Sequence, residues 1–181
     1  MTVRIACFGD SLVQGFPYGT KYSWTETARI PGRLELLNYG LCGDCCDDIF
    51  ERLRRCPLPG DVRHILFLGG ANDILQGTPQ DFTLGVLQKA VCWCSEKGYS
   101  LCLVLPFISA DEYLNRRLIS LRREIEARFR ESAYLLDVQP AIGTEAGELS
   151  GAYLDGVHPK SGVYEAIGRY AGPLLAQWAG Q

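Results

Sequence analysis

The sequence is short of several things, and each shortage excludes a class of function. Basic charge is not in excess: 18 Lys and Arg stand against 21 Asp and Glu, for a net charge of −3. With no basic stripe and no Arg/Lys block, a nucleic-acid partner is excluded. The one Arg-rich stretch, "RRLISLRREIEARFRE", carries acids and helically spaced apolar residues and reads as the solvated face of a helix. No run approaches the ~20 consecutive apolar residues of a membrane-spanning helix. The opening "MTVRIACF" lacks the apolar h-region of a secretory signal, so the expectation is a cytoplasmic protein without a signal peptide. Linkers, low-complexity runs and internal repeats are also missing. The 181 residues suit one domain, 1–181, with a sizeable core. Histidine is nearly absent, at two residues.

Cysteine, by contrast, is plentiful. Cys7 and Cys102 sit in strand-like runs, Cys92 and Cys94 in a helix-like run, where a reduced thiol acts as a small hydrophobe. Cys42, Cys45 and Cys46 form "CGDCC", which resembles half of a zinc site. A complete site needs a second pair at ligand spacing, and only Cys56 and the more distant His64 are on offer. No metal site is read here, and reduced thiols are expected.

What the chain does have is alternation. Strand-like runs at 3–8, 34–39, 64–70, 100–106 and 133–138 are mostly apolar without a period of two, as for parallel strands covered on both faces. Between them lie helical patterns. Phe82, Val86, Leu87, Ala90, Val91 and Cys94 form one stripe, with Thr78 expected as its cap and Pro79 at the first helical position. Leu114, Leu118, Leu121, Ile125 and Phe129 form another, with Ser109 and Glu112 expected as a capping box. The segment 162–178 carries Gly168, Gly172 and Pro173, and a kink or two short helices are expected there. The pattern implies an α/β fold with a parallel sheet and helices on both sides.

Such sheets place their sites beyond the carboxyl ends of the strands. The residues found there are Asp10 and Ser11, Gly40 and Gly43, Asn72 and Asp73, and a long loop carrying Asp155 and His158. Ser11 reads either as a helix cap or as a nucleophile. His64 opens a strand at the wrong end of the sheet, which leaves His158 as the base, with Asp155 three residues earlier to orient it. The Ser11 N–H, the Gly43 N–H at a helix opening and the Asn72 amide are candidate donors to an oxyanion. Asp10 and Asp73 read as local backbone anchors.

Four blocks, "FGDSLVQG", "NYGLCGDC", "GGANDIL" and "DGVHPKSG", occur in this order, each at a strand end. Together they resemble the SGNH hydrolases, also called the GDSL family of esterases and lipases. The resemblance implies a three-layer αβα sandwich, flavodoxin-like, with a five-stranded parallel sheet. It implies Ser11, His158 and Asp155 as a catalytic triad, and Ser11, Gly43 and Asn72 as the oxyanion hole. It implies hydrolysis of small-molecule acyl esters or thioesters (short-chain, aryl, lipid-derived or acetyl) without metal or cofactor. An acyltransferase would use the same triad, and a non-catalytic acyl- or carbohydrate-binding module would share the fold. The cysteines around Gly43 lie outside the family pattern, and no lid-sized insertion is visible. Tyr18, Trp24, Phe107, Ile108, Tyr113 and Tyr153 stand near the motifs as candidates to line an acyl pocket or to pack beneath loops. Oligomeric state is not readable from the chain.

Overall fold

The computed structural model describes residues 2–180. Five strands, β1 (Val3–Gly9), β2 (Leu34–Gly40), β3 (His64–Leu68), β4 (Ser100–Val104) and β5 (Tyr134–Leu136), form a sheet in the order β2-β1-β3-β4-β5. Every neighbouring pair is parallel. The strands lack polar alternation because both faces are covered. Ile5, Cys7, Leu66, Leu68 and Val104 point into one core, and Ala6, Phe8, Ile65, Phe67 and Leu103 into the other.

Among the described residues eight α-helices supply the outer layers: α1 (Ser11–Gln14), α2 (Trp24–Thr27), α3 (Cys46–Arg55), α4 (Ala71–Leu75), α5 (Gln80–Glu96), α6 (Glu112–Phe129), α7 (Ala146–Ala152) and α8 (Ser161–Ala179). α3, α5 and α6 bury Ile49, Leu87 and Leu121 on one face, while α2 and α8 bury Trp24 and Ile167 on the other. The result is a three-layer αβα sandwich of flavodoxin-like strand order. Among the described residues no helix is long and apolar enough to cross a membrane.

Local signals were overridden at several helix ends. Thr78 does not cap α5: Pro79 holds the capping position, and the Thr78 N–H donates to Asp73 O at 2.8 Å. Asp111, not a Ser109/Glu112 box, caps α6, its Oδ1 accepting from Leu114 N–H at 2.8 Å. The Ser109 hydroxyl oxygen instead accepts from Asp111 N–H at 3.0 Å. The stripe of α5 turns slightly from its expected line, exposing Phe82 and burying Thr83 and Leu84, and Cys92 lies on the solvent side.

The largest difference is α8, which runs unbroken from Ser161 to Ala179 with Pro173 inside it. Its buried face, Tyr164, Ile167, Ala171 and Leu175, outweighs the local cost of one missing N–H. Its two glycines are there for contact. A Cβ on Gly168 would lie 2.5 Å from Trp24 O, and one on Gly172 2.6 Å from Ala28 O. Gly168→Ala gains up to about 1 kcal/mol of helix propensity, but it drives a methyl into backbone that cannot yield, a cost of about 1–3 kcal/mol. A net loss is expected, lowering Tm by roughly 2–8 °C in a thermal melt.

Candidate active site

The chain runs from β1 outward to β2 and then back across β1 to β3. At that reversal the loops leaving β1 and β3 diverge and open a crevice at the carboxyl end of the sheet. Ser11 enters this crevice on α1, only four residues long and far too short to be stable alone. Its backbone is satisfied from outside. Asp10, not Ser11, is the cap, and its Oδ1 accepts from Leu12 N–H at 2.8 Å. The carbonyl of Ser11 accepts from Gly15 N–H at 2.9 Å and Phe16 N–H at 3.0 Å. The carbonyl of Leu12 accepts from Trp24 Nε1–H at 3.0 Å. The carbonyl of Val13 accepts from Ser23 Oγ–H at 2.7 Å and Asn38 Nδ2–H at 2.6 Å. Gly40 lets the helix lie on the strand ends, since a Cβ there would be 2.2 Å from Gln14 N. With capping assigned to Asp10, the Ser11 hydroxyl is free for another partner.

That partner is His158, whose Nε2 lies 3.0 Å from Ser11 Oγ across 147 residues of sequence. The other ring nitrogen, Nδ1, lies 2.7 Å from Asp155 Oδ2. With the Nδ1 proton directed at the carboxylate, Nε2 is the acceptor for the hydroxyl. Asp155 Oδ1 also accepts from the backbone N–H of Val157 at 3.0 Å and of His158 at 2.8 Å. One carboxylate therefore shapes the turn and orients the ring. Burial alone would raise the Asp155 carboxyl, but the hydrogen bonds from His158 and Val157 and the charge of the ring outweigh it and hold it at about 2.

The three candidate donors meet at the same place. Ser11, Gly43, Asn72 and His158, with Phe16 and Cys42, line one cavity of about 240 Å³. Among the described residues the N–H groups of Ser11 and Gly43 donate to no protein atom. Asn72, on α4, spends one amide hydrogen on Asp44 O at 2.8 Å and keeps the other. Gly43 does not open a helix: α3 begins at Cys46, and Gly43 sits before it in a left-handed turn, φ +87°. The turn, rather than a helix terminus, leaves its N–H unpaired.

Three buried acids stand behind this wall: Asp10, Asp44 and Asp73. Asp73 is an anchor, taking Cys46 N–H at 3.0 Å and Thr83 Oγ–H at 3.0 Å. Burial, with the charges of Asp73 and Asp44, pushes the Asp10 carboxyl up to about 7 despite the Leu12 hydrogen bond.

Other expectations resolve against the site. Tyr18, Trp24, Phe107, Ile108, Tyr113 and Tyr153 do not line the Ser11 cavity. Trp24, Phe107 and Tyr153 are buried packing, and Tyr113 projects at the edge of a separate groove beside Asp155. Phe16 and Cys42 take the lining role. Phe16 packs on His158 with ring centroids 4.6 Å apart, and the Cys42 N–H and thiol both reach Gln14 Oε1, at 3.0 and 2.7 Å. The only sequence signal for either was adjacency to a motif. His64 lies at the opposite end of the sheet, edge-on to Trp178. All eight cysteines are free thiols. Among the described residues no group of three or more His, Cys, Asp or Glu is arranged to hold a metal.

The raised Asp10 carboxyl has a measurable sign. Between about 3.9, the ordinary carboxyl value, and about 7 the native state holds a proton that the unfolded chain has lost. This group therefore makes stability fall as pH rises through that window. Asp10→Asn keeps a good capping side chain and should flatten the decline of Tm across that range; an unchanged slope would remove Asp10 as its source.

Comparison with known proteins places the fold and the family. The model of the GDSL-like lipase/acylhydrolase family matches residues 7–166. Among solved structures, a member of the lipolytic protein G-D-S-L family from Veillonella parvula is similar, with 22% identity and TM-score 0.81, covering 97% of this chain and 100% of that one. A psychrotrophic esterase from Pseudoalteromonas has 18% identity and TM-score 0.78, covering 98% and 99%. An acetylxylan esterase from Geobacillus stearothermophilus has 17% identity and TM-score 0.77, covering 96% and 93%. No curated protein matches the chain. The family match spans nearly the whole chain, and the chain belongs to the GDSL-like lipase/acylhydrolase family, as an enzyme of the esterase/acylhydrolase class.

Proposed function

We propose that the chain, as a single hydrolase domain, cleaves small acyl esters through an acyl-enzyme on Ser11. Ser11 Oγ attacks the acyl carbonyl carbon, and His158 Nε2 takes the hydroxyl proton. Asp155 holds the imidazole tautomer and stabilises the imidazolium. The N–H groups of Ser11 and Gly43 and the free Asn72 amide hydrogen receive the developing oxyanion. As the tetrahedral intermediate collapses, His158 returns the proton to the departing alkoxide. Water, deprotonated by the same nitrogen, then releases the acid and restores Ser11.

The observation that carries this reading is the unbroken hydrogen-bonded path from Ser11 Oγ to His158 Nε2, 3.0 Å, and from Nδ1 to Asp155 Oδ2, 2.7 Å. The Asp155 carboxyl, held at about 2, supports its ionised form at neutral pH. The cavity of about 240 Å³ supports a small acyl group, being below the roughly 300–1,000 Å³ of sites that enclose larger ligands. The similarity to an acetylxylan esterase points in the same direction.

Ser11→Ala should abolish hydrolysis of p-nitrophenyl acetate while circular dichroism and Tm stay as in the wild type; retained turnover would take Ser11 out of the mechanism. In the same assay, kcat/KM of the wild type should decline as the acyl chain lengthens. Asn72→Ala should lower kcat by about 10²–10³, the usual loss for one oxyanion donor, and a wild-type kcat would sink that role.

A further inference from the structure

We infer that Arg52 is a positioning residue for the oxyanion side of the site, an assignment that rests on the reading given above. Arg52 lies on α3, away from the Ser11 cavity, yet its guanidinium touches three of the segments that build it. Nη2–H donates to Gly9 O at 2.9 Å, two residues before Ser11. Nη1–H donates to Tyr39 O at 2.7 Å, next to the Gly40 on which α1 rests. Nε–H donates to Asp44 Oδ2 at 2.6 Å, next to Gly43. Asp44 in turn offers its backbone carbonyl to the Asn72 amide at 2.8 Å. One planar cation thus joins the exit of β1, the exit of β2 and the turn that carries Gly43, and through Asp44 it reaches Asn72.

The other arginines of α3 give the contrast. Arg54 and Arg55 pair with Glu51 on the exposed face, where ion pairs contribute little. The Arg52–Asp44 pair is largely withdrawn from solvent, with side chains 28% and 12% exposed. Its geometry also needs a fork, because three acceptors lie around one plane and the point charge of a lysine cannot meet them together. There is an electrostatic reason as well. Asp10, Asp44 and Asp73 cluster behind a wall that must receive a developing negative charge. An unpaired Asp44 carboxylate there would oppose the oxyanion, and Arg52 offsets it. Arg52 also borders a cavity of about 420 Å³ with Phe8, Tyr39, Glu51, Arg55 and Cys56, which shares no lining residue with the Ser11 cavity. A small guanidinium ion could enter by that route.

The test uses the full chain with p-nitrophenyl acetate. Arg52→Ala and Arg52→Lys should each lower kcat by about 10²-fold, the scale of a modest misplacement of reacting groups, with KM little changed. Low, non-denaturing guanidinium should restore turnover to Arg52→Ala but not to Arg52→Lys, and methylammonium should restore it to neither. A wild-type kcat in Arg52→Lys overturns the assignment. So does a loss that follows the unfolded fraction by circular dichroism, or a folded Arg52→Ala that guanidinium does not rescue. Ser11→Ala measured alongside separates the two failures. If it still turns over, the serine reading falls; if it is inactive while Arg52→Lys keeps wild-type kcat, only the role of Arg52 falls.

Discussion

The carbonyl oxygens of α1 are the point to which the rest of the site is referred. A four-residue helix closes almost none of its own hydrogen bonds, so its direction is set by whatever satisfies its ends. Trp24, Ser23 and Asn38 take two of those oxygens, and Asp10 holds the opening turn. Each partner is itself held in place: Trp24 and Asp10 by burial, Asn38 by its position within β2. Packing of the outer layer is thereby converted into the aim of one hydroxyl. The close approach of α8 to α2 belongs to the same chain of dependence, because it seats the segment that carries Trp24.

The floor of the crevice is unusually acidic for a place proposed to stabilise an anion. Asp10 and Asp73 accept from backbone N–H groups at helix openings, work that places carboxyl groups where peptide N–H groups converge, while the Asp44 carboxylate pairs with Arg52. Two devices limit the electrostatic consequence. Asp10 holds its proton up to about neutrality. Asp44 is matched by a guanidinium. Scaffold and chemistry compete for the same small volume here.

Much of the molecule was legible in the sequence because the parallel strands are written as unbroken apolar runs, and strand ends are where α/β sites lie. Ser11, Gly43, Asn72, Asp155 and His158 could be picked out by that rule, and the structure brings them to one cavity and its adjoining turn. What stayed hidden was decided by tertiary contact. Nothing local distinguishes Asp10 from Ser11 as the cap. The continuity of α8 through Pro173 follows from a buried face that only the folded chain supplies, and its glycines answer to carbonyls of Trp24 and Ala28 that only the folded chain brings near. Phe16 and Cys42 line the cavity through a turn and a glutamine contact that have no periodicity to reveal them. Arg52 carries no local signal, since its backbone acceptors, Tyr39 O and Gly9 O, lie on segments far from it in sequence.

The separation of 147 residues between Ser11 and His158 has a bearing on how such a chain is made and handled. A nascent chain that has emerged only as far as β4 carries Ser11, Gly43 and Asn72 but still lacks His158, the base proposed for Ser11. Hydrolytic competence would then arrive late and abruptly during synthesis, when the segment after β5 docks. On that reading, turnover becomes a report on completed assembly.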